Sequence, residues 1–147
     1  NCWKAVLEDA FSRNSNLKVV FTVSPVRYTR GGMVNNSLSK GILHLASRKL
    51  VELFENTYYF PAFEIVNDEL RDHRFFKEDL VHPNEAAINY VYQKFQSWLM
   101  TPSTITKSEE VLRLNKRLDH HFANEEEAQN TRQEVNDAIA LVLSKGK

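Results

Sequence analysis

Leu17–Val23 reads LKVVFTV, a run of β-branched and aromatic residues of strand length. Its nearly continuous apolar character is the pattern of a parallel strand covered on both faces, and Ser24-Pro25 stops it. Downstream, Ser37 is a cap residue, and a helix is expected from there to about Glu55. Its buried face is expected to carry Leu38, Ile42, Leu45, Ala46, Leu50, Leu53 and Phe54, with His44 at the boundary. Thr57–Val66, TYYFPAFEIV, is the second strand signal; Pro61 cannot donate to a ladder, so it splits the run or marks an edge or bulge. Strand, helix and strand of these lengths predict a βαβ unit, parallel and with a right-handed crossover. Upstream, Trp3, Val6, Leu7, Ala10 and Phe11 recur at helical spacing, and Asn14-Ser15-Asn16 ends that helix.

In open α/β sheets, ligands bind at the carboxyl ends of strands. Ser24, Arg27 and Tyr28 follow the first strand and are expected to line a substrate site. Ser24 lacks the Gly-x-Ser-x-Gly elbow of an exposed nucleophile, so its hydroxyl is expected to bind loop backbone. Arg27 and Arg30 have the donors for an anionic substrate group, against the plainer reading of two solvated loop arginines. Gly31-Gly32 permits a tight turn.

Chemistry concentrates in Lys77–Leu99, KEDLVHPNEAAINYVYQKFQSWL. Asp79 and His82 stand three residues apart just before a helix. Pro83 suits the first helical position, which makes His82 the expected cap and puts Glu85 in the first turn. Ala87, Val91, Phe95 and Trp98 form the apolar stripe behind. A serine hydrolase needs a base with a pKa near neutrality and a carboxylate on its Nδ1–H to fix the tautomer. Asp and His at this spacing on one loop can supply both. The plain alternative is that Asp79 caps a turn and His82 caps a helix.

Four blocks in order, FTVSPVRYTRGG (21–32), NNSLSKGIL (35–43), YYFPAFEIV (58–66) and LRDHRFFKEDLVHPNEAA (70–87), resemble the GSCFA family within the SGNH (GDSL-like) hydrolases. The resemblance spans about residues 1–100. It implies a three-layer, flavodoxin-like α/β fold, a Ser-His-Asp esterase with Asp79 and His82 as two triad members, no metal and no cofactor. By analogy, the substrate is a small-molecule ester or an ester on a carbohydrate. The Gly-Ser-Cys-Phe-Ala block that would hold the serine is absent from these 147 residues, as is a Gly-x-Asn-Asp block for oxyanion donors. Residues 1–100 are therefore expected to be the C-terminal half of a hydrolase domain. Alone, they are expected to be inactive, and to self-associate or meet the missing N-terminal portion of the same protein.

Composition bounds the alternatives. A formal net charge of zero argues against a broad nucleic-acid surface. No apolar run approaches the roughly 18 residues of a membrane span. The single Cys2 cannot form an internal disulfide. The Asn35-Asn36-Ser37 sequon is discounted, since nothing marks secretion; the chain opens without a starting Met, so the compartment stays open.

Residues 101–147 are expected to form a helical extension. Met100–Thr106 reads as a linker and Thr106-x-x-Glu109 as a capping box. Val111, Leu114, Leu118 and Phe122 make one stripe; Ala128, Val135, Ala138, Ile139 and Val142 make another, with Asn124 breaking between them. The expectation is a helical hairpin, and a groove-filling interaction module is the rival to the hydrolase reading. Asp119-His120-His121 is not a metal site on this reading, because neighbouring helical residues point about 100° apart.

Overall fold

The computed structural model describes residues 2–119 and 124–144. They divide into two compact units, residues 1–94 and 95–147. In the first, α1 (Cys2–Arg13) leads to β1 (Val19–Phe21), then α2 (Gly32–Leu53), then β2 (Thr57–Tyr59). The strands pair parallel, with Val19 opposite Thr57, Val20 opposite Tyr58 and Phe21 opposite Tyr59. This is the partial α/β fold: a two-stranded parallel sheet joined through a helix. The core of the unit gathers Leu7, Val23, Leu50, Phe60, Ile65, Val66, Phe76 and Ala87. The Trp3 ring meets Phe21 edge-on at 5.9 Å and Phe11 meets Phe54 at 5.5 Å, which anchors α1.

The second strand is much shorter than the TYYFPAFEIV run. Phe60 N–H donates to Phe21 O at 2.8 Å, and the ladder ends there because Pro61 has no N–H to offer. Pro61 instead begins α3 (Ala62–Glu64), where a missing donor costs nothing. The chain continues as a π-helical turn, Ile65–Leu70, closed by Arg71 in the left-handed region at φ 59°. The apolar residues of this run are buried by a helix where a strand is expected.

Helix α2 also departs from the expected frame. It begins at Gly32, whose φ of 79° suits glycine, and Ser37 lies inside it rather than at its cap. There the Ser37 hydroxyl bonds back to Met33 O. Leu50 is buried as expected, but Leu38, Ile42 and Leu45 are 61, 66 and 72% exposed. The inward positions are Asn36, Lys40, Ser47 and Leu50. The reason is the irregular segment after β1, whose backbone groups need partners once covered. Asn36 Oδ1 accepts from Tyr28 N–H at 2.8 Å, and Lys40 Nζ donates to Ser24 O at 2.6 Å. Burial lowers the Lys40 pKa from its ordinary value. His44 stays half-buried at the boundary. Its Nδ1 lies 3.3 Å from the Tyr59 hydroxyl, which donates to Glu64; burial and that carboxylate raise the Tyr59 pKa well above normal.

Helix α4 covers Glu85–Leu99. In the second unit, α5 (Pro102–Asn115) and α6 (Glu125–Ser144) pack on each other, with Arg117 and Glu134 paired at 3.1 Å. The cap of α5 is Thr101, whose hydroxyl accepts from Thr104 N–H, so the Thr106 capping box is not used. Asn124 caps α6 by accepting from Glu127 N–H. Ala128, Val135 and Val142 form its buried stripe. Phe122, His120 and His121 lie outside the described residues. Among those described, no group of His, Cys, Asp and Glu is placed to hold a metal, and no helix is long and apolar enough to cross a membrane.

Candidate active site

The site is built on the loop between a short 3-10 turn, His73–Phe75, and α4. Phe76 and Pro83 form an antiparallel bridge that closes the base of the loop. Both are buried. Above it, Lys77 N–H donates to His82 O at 2.8 Å and Leu80 N–H to Lys77 O at 2.9 Å. Leu80 sits in the left-handed region at φ 53°, an uncommon place for a residue with a branched side chain.

Asn84, not His82, caps α4: its Oδ1 accepts from Ala87 N–H at 3.1 Å and its Nδ2 donates to Arg74 O. Pro83 is thus spent on the bridge rather than on the first helical turn. The difference frees His82, which stands two residues before the cap with its ring turned back along the loop.

Asp79 organises that turn. Its Oδ1 accepts from the backbone N–H groups of Val81 (2.8 Å) and His82 (3.0 Å). Its Oδ2 lies 2.7 Å from His82 Nδ1. An ionised carboxylate only accepts, so Nδ1 carries the proton and Nε2 offers its lone pair. Three hydrogen bonds to the charged form, first that from the His82 backbone, hold the Asp79 carboxyl far below the usual carboxylate range. Both side chains face solvent, 46% exposed for Asp79 and 55% for His82. The arrangement can take a proton at Nε2 and return it, with the imidazolium stabilised by the carboxylate.

The three residues placed after β1 fare differently. The Ser24 hydroxyl accepts from Val26 N–H at 3.2 Å, binding loop backbone. Tyr28 is 54% exposed, tethered through its backbone to Asn36. Arg27 alone reaches the Asp79–His82 loop. Its N–H donates to Val81 O at 3.2 Å, its Nη1 to Leu80 O at 2.7 Å, and its guanidinium lies 4.3 Å over the Phe76 ring. Arg27, Arg71 and His73 also line a small recess of about 60 Å³ beside Phe76. Leu80, Asn84 and Phe76 carry no chemistry but shape the site. Asn84 had a legible signal, since Asn is a favoured cap; a leucine at positive φ has none.

The family model described as GSCFA matches residues 1–95, which contain every group just described. The chain belongs to the GSCFA family. No curated protein and no solved structure matches it. The GSCFA match takes in the β1–α2–β2 unit, Arg27, the Asp79–His82 loop and the start of α4, and leaves α5 and α6 outside.

The loop rests on the Phe76 ring. Phe76→Ala should lower unfolding stability by about 3–5 kcal/mol, the usual cost of emptying an aromatic core position. Leu7→Ala, also in the core, should cost about 2–5 kcal/mol. Urea titration gives both values. Amide exchange separates them: only Phe76→Ala should speed exchange at Lys77 and Asn84, whose N–H groups bond His82 O and Phe75 O. Equal exchange at matched stability would show that the ring does not hold the loop.

Proposed function

We propose that Asp79 and His82 are the orienting acid and the general base of a Ser-His-Asp triad in an SGNH-type serine esterase. The observation that carries this reading is the 2.7 Å contact between Asp79 Oδ2 and His82 Nδ1, on a histidine whose side chain is more than half exposed. Residues 1–100 would be the C-terminal half of the hydrolase domain and 101–147 a helical extension. The serine would come from a Gly-Ser-Cys-Phe-Ala block and oxyanion donors from a Gly-x-Asn-Asp block, both outside these 147 residues.

In that assembly His82 Nε2 removes the serine hydroxyl proton as Oγ attacks the ester carbonyl. Asp79 stabilises the imidazolium. The tetrahedral intermediate collapses, the carbonyl–oxygen bond to the alcohol breaks, and Nε2 returns the proton to the departing oxygen. Water, activated by the same nitrogen, then cleaves the acyl-serine. The substrate is a small-molecule ester or an ester on a carbohydrate.

Hydrolysis of p-nitrophenyl acetate tests the reading. A longer form of the protein carrying the serine block is expected to turn it over, while the 147-residue chain alone stays at background. Activity undiminished by deletion of that block would refute it.

Leu38, Ile42 and Leu45 on α2, with Trp3 and Val6 on α1, present exposed apolar side chains. A three-layer domain would cover such positions. The chain alone should therefore self-associate, with a light-scattering mass above one chain and binding of a hydrophobic dye. A monomeric mass without dye binding counts against the incomplete-sheet reading.

A further inference from the structure

Arg27 lies in the irregular segment after β1, 53 residues before Leu80, yet it bonds two successive carbonyls of the Asp79–His82 loop. Those carbonyls, Leu80 O and Val81 O, belong to the turn in which Leu80 is left-handed. Such a conformation crowds Cβ against the backbone, so it persists only where surrounding contacts hold it. The turn also sets the catalytic geometry. It presents the Val81 and His82 N–H groups to Asp79 Oδ1, leaving Oδ2 for His82 Nδ1. The guanidinium, with its carbon 4.3 Å over the centre of the Phe76 ring, is itself held from below.

We propose that Arg27 is a positioning residue for His82: by holding the left-handed turn at Leu80 it fixes the Asp79–His82 pair, and with it the Nδ1–H tautomer of the base. This gives the arginine a different task from binding an anionic substrate group, since its Nη1 and its ring face are committed to the loop. The inference rests on the base assignment proposed above, but its test needs neither nucleophile nor substrate.

Long-range proton–nitrogen correlation spectra of the ¹⁵N-labelled chain report which imidazole nitrogen of His82 carries the proton. In the wild-type chain at a pH where the ring is neutral, Nδ1–H is expected. Arg27→Met, which keeps length without a donor, should lose that signature and revert to the Nε2–H form that free imidazole side chains prefer. Adding Leu80→Gly, which removes the steric cost of the left-handed turn, should restore it. If Arg27→Met does not give a folded spectrum, Arg27→Lys decides. A single ammonium cannot hold Leu80 O and cover the Phe76 ring as the planar guanidinium does, so a mixture of tautomers is expected. Retention of Nδ1–H in a folded Arg27→Met or Arg27→Lys chain overturns the proposal, as does a double variant no better than Arg27→Met. A purely structural role would lower the melting temperature without moving the tautomer. If the tautomer responds while the longer protein shows no esterase activity, the positioning role stands and the esterase reading falls.

Discussion

His82→Ala in the longer, serine-bearing protein is expected to lower kcat on p-nitrophenyl acetate by about 10⁶-fold, the loss typical of removing a triad base. Its expected effect on stability is small, within about 0.5 kcal/mol. The asymmetry follows from the geometry. His82 is more than half exposed, and its Nε2 has no partner among the described residues. Removing the ring leaves Asp79 with two backbone donors, so no charge is stranded. The loop is also held by contacts that do not involve the imidazole: the Phe76–Pro83 bridge, the Lys77–His82 backbone bond and Arg27. Residual turnover of about 10³–10⁴ over water should survive from binding and the oxyanion donors. A melt showing near-equal stability beside rate measurements checks both halves. Equal activity in the two proteins would remove His82 from the mechanism.

What was legible in the sequence had local causes. Asp79 and His82 are three residues apart, and their contact closes within one turn, so composition and spacing sufficed to find it. The parallel β1–α2–β2 unit followed from two apolar runs and the length between them. Pro61 breaks the ladder as its missing N–H requires, but the run to Val66 reads as strand, split or bulged, and a helix follows instead. The helix won because proline at its first turn is costless, and because Ile65 and Val66 then reach the core.

The phase of α2 was not legible, for a definite reason. Periodicity counts apolar residues and assumes that they face inward. Here the inward face is chosen by polar groups, Asn36 and Lys40, which satisfy the backbone at Tyr28 and Ser24. That demand comes from a loop folded over the helix, and nothing in the helix's own sequence announces it. Leu38, Ile42 and Leu45 lose the competition and remain exposed. Likewise the role of Arg27 depends on a contact across 53 residues, which local pattern cannot report. The misplaced cap at His82 had a subtler source. Pro83 is favoured at the first helical position, but it is also well suited to end a bridge, and the Asn after it caps better than histidine.

Asp79→Asn is expected to lower kcat by about 10⁴-fold while leaving the loop in place. Asparagine is nearly isosteric, and its Oδ1 can still accept from the Val81 and His82 N–H groups. Its Nδ2, however, replaces the oxygen that faces His82 Nδ1. Two donors cannot face each other, so Nδ1 must give up its proton and accept, which leaves the proton on Nε2. The nitrogen that should receive the serine proton then already carries one. Loss of rate with a retained fold separates this from loss of the loop, and an unchanged kcat would sink the orienting role. The acid side gives an independent check. Because the folded-state pKa of Asp79 lies below its unfolded value, the carboxylate's contribution to stability is fully present above the ordinary Asp pKa of about 4. It is lost as pH falls below that value toward the folded one. The stability difference between wild type and Asp79→Asn, measured by urea titration at a series of acid pH values, should shrink as pH falls below about 4. A difference that did not shrink below that pH would mean that the carboxylate is not held ionised by these three hydrogen bonds.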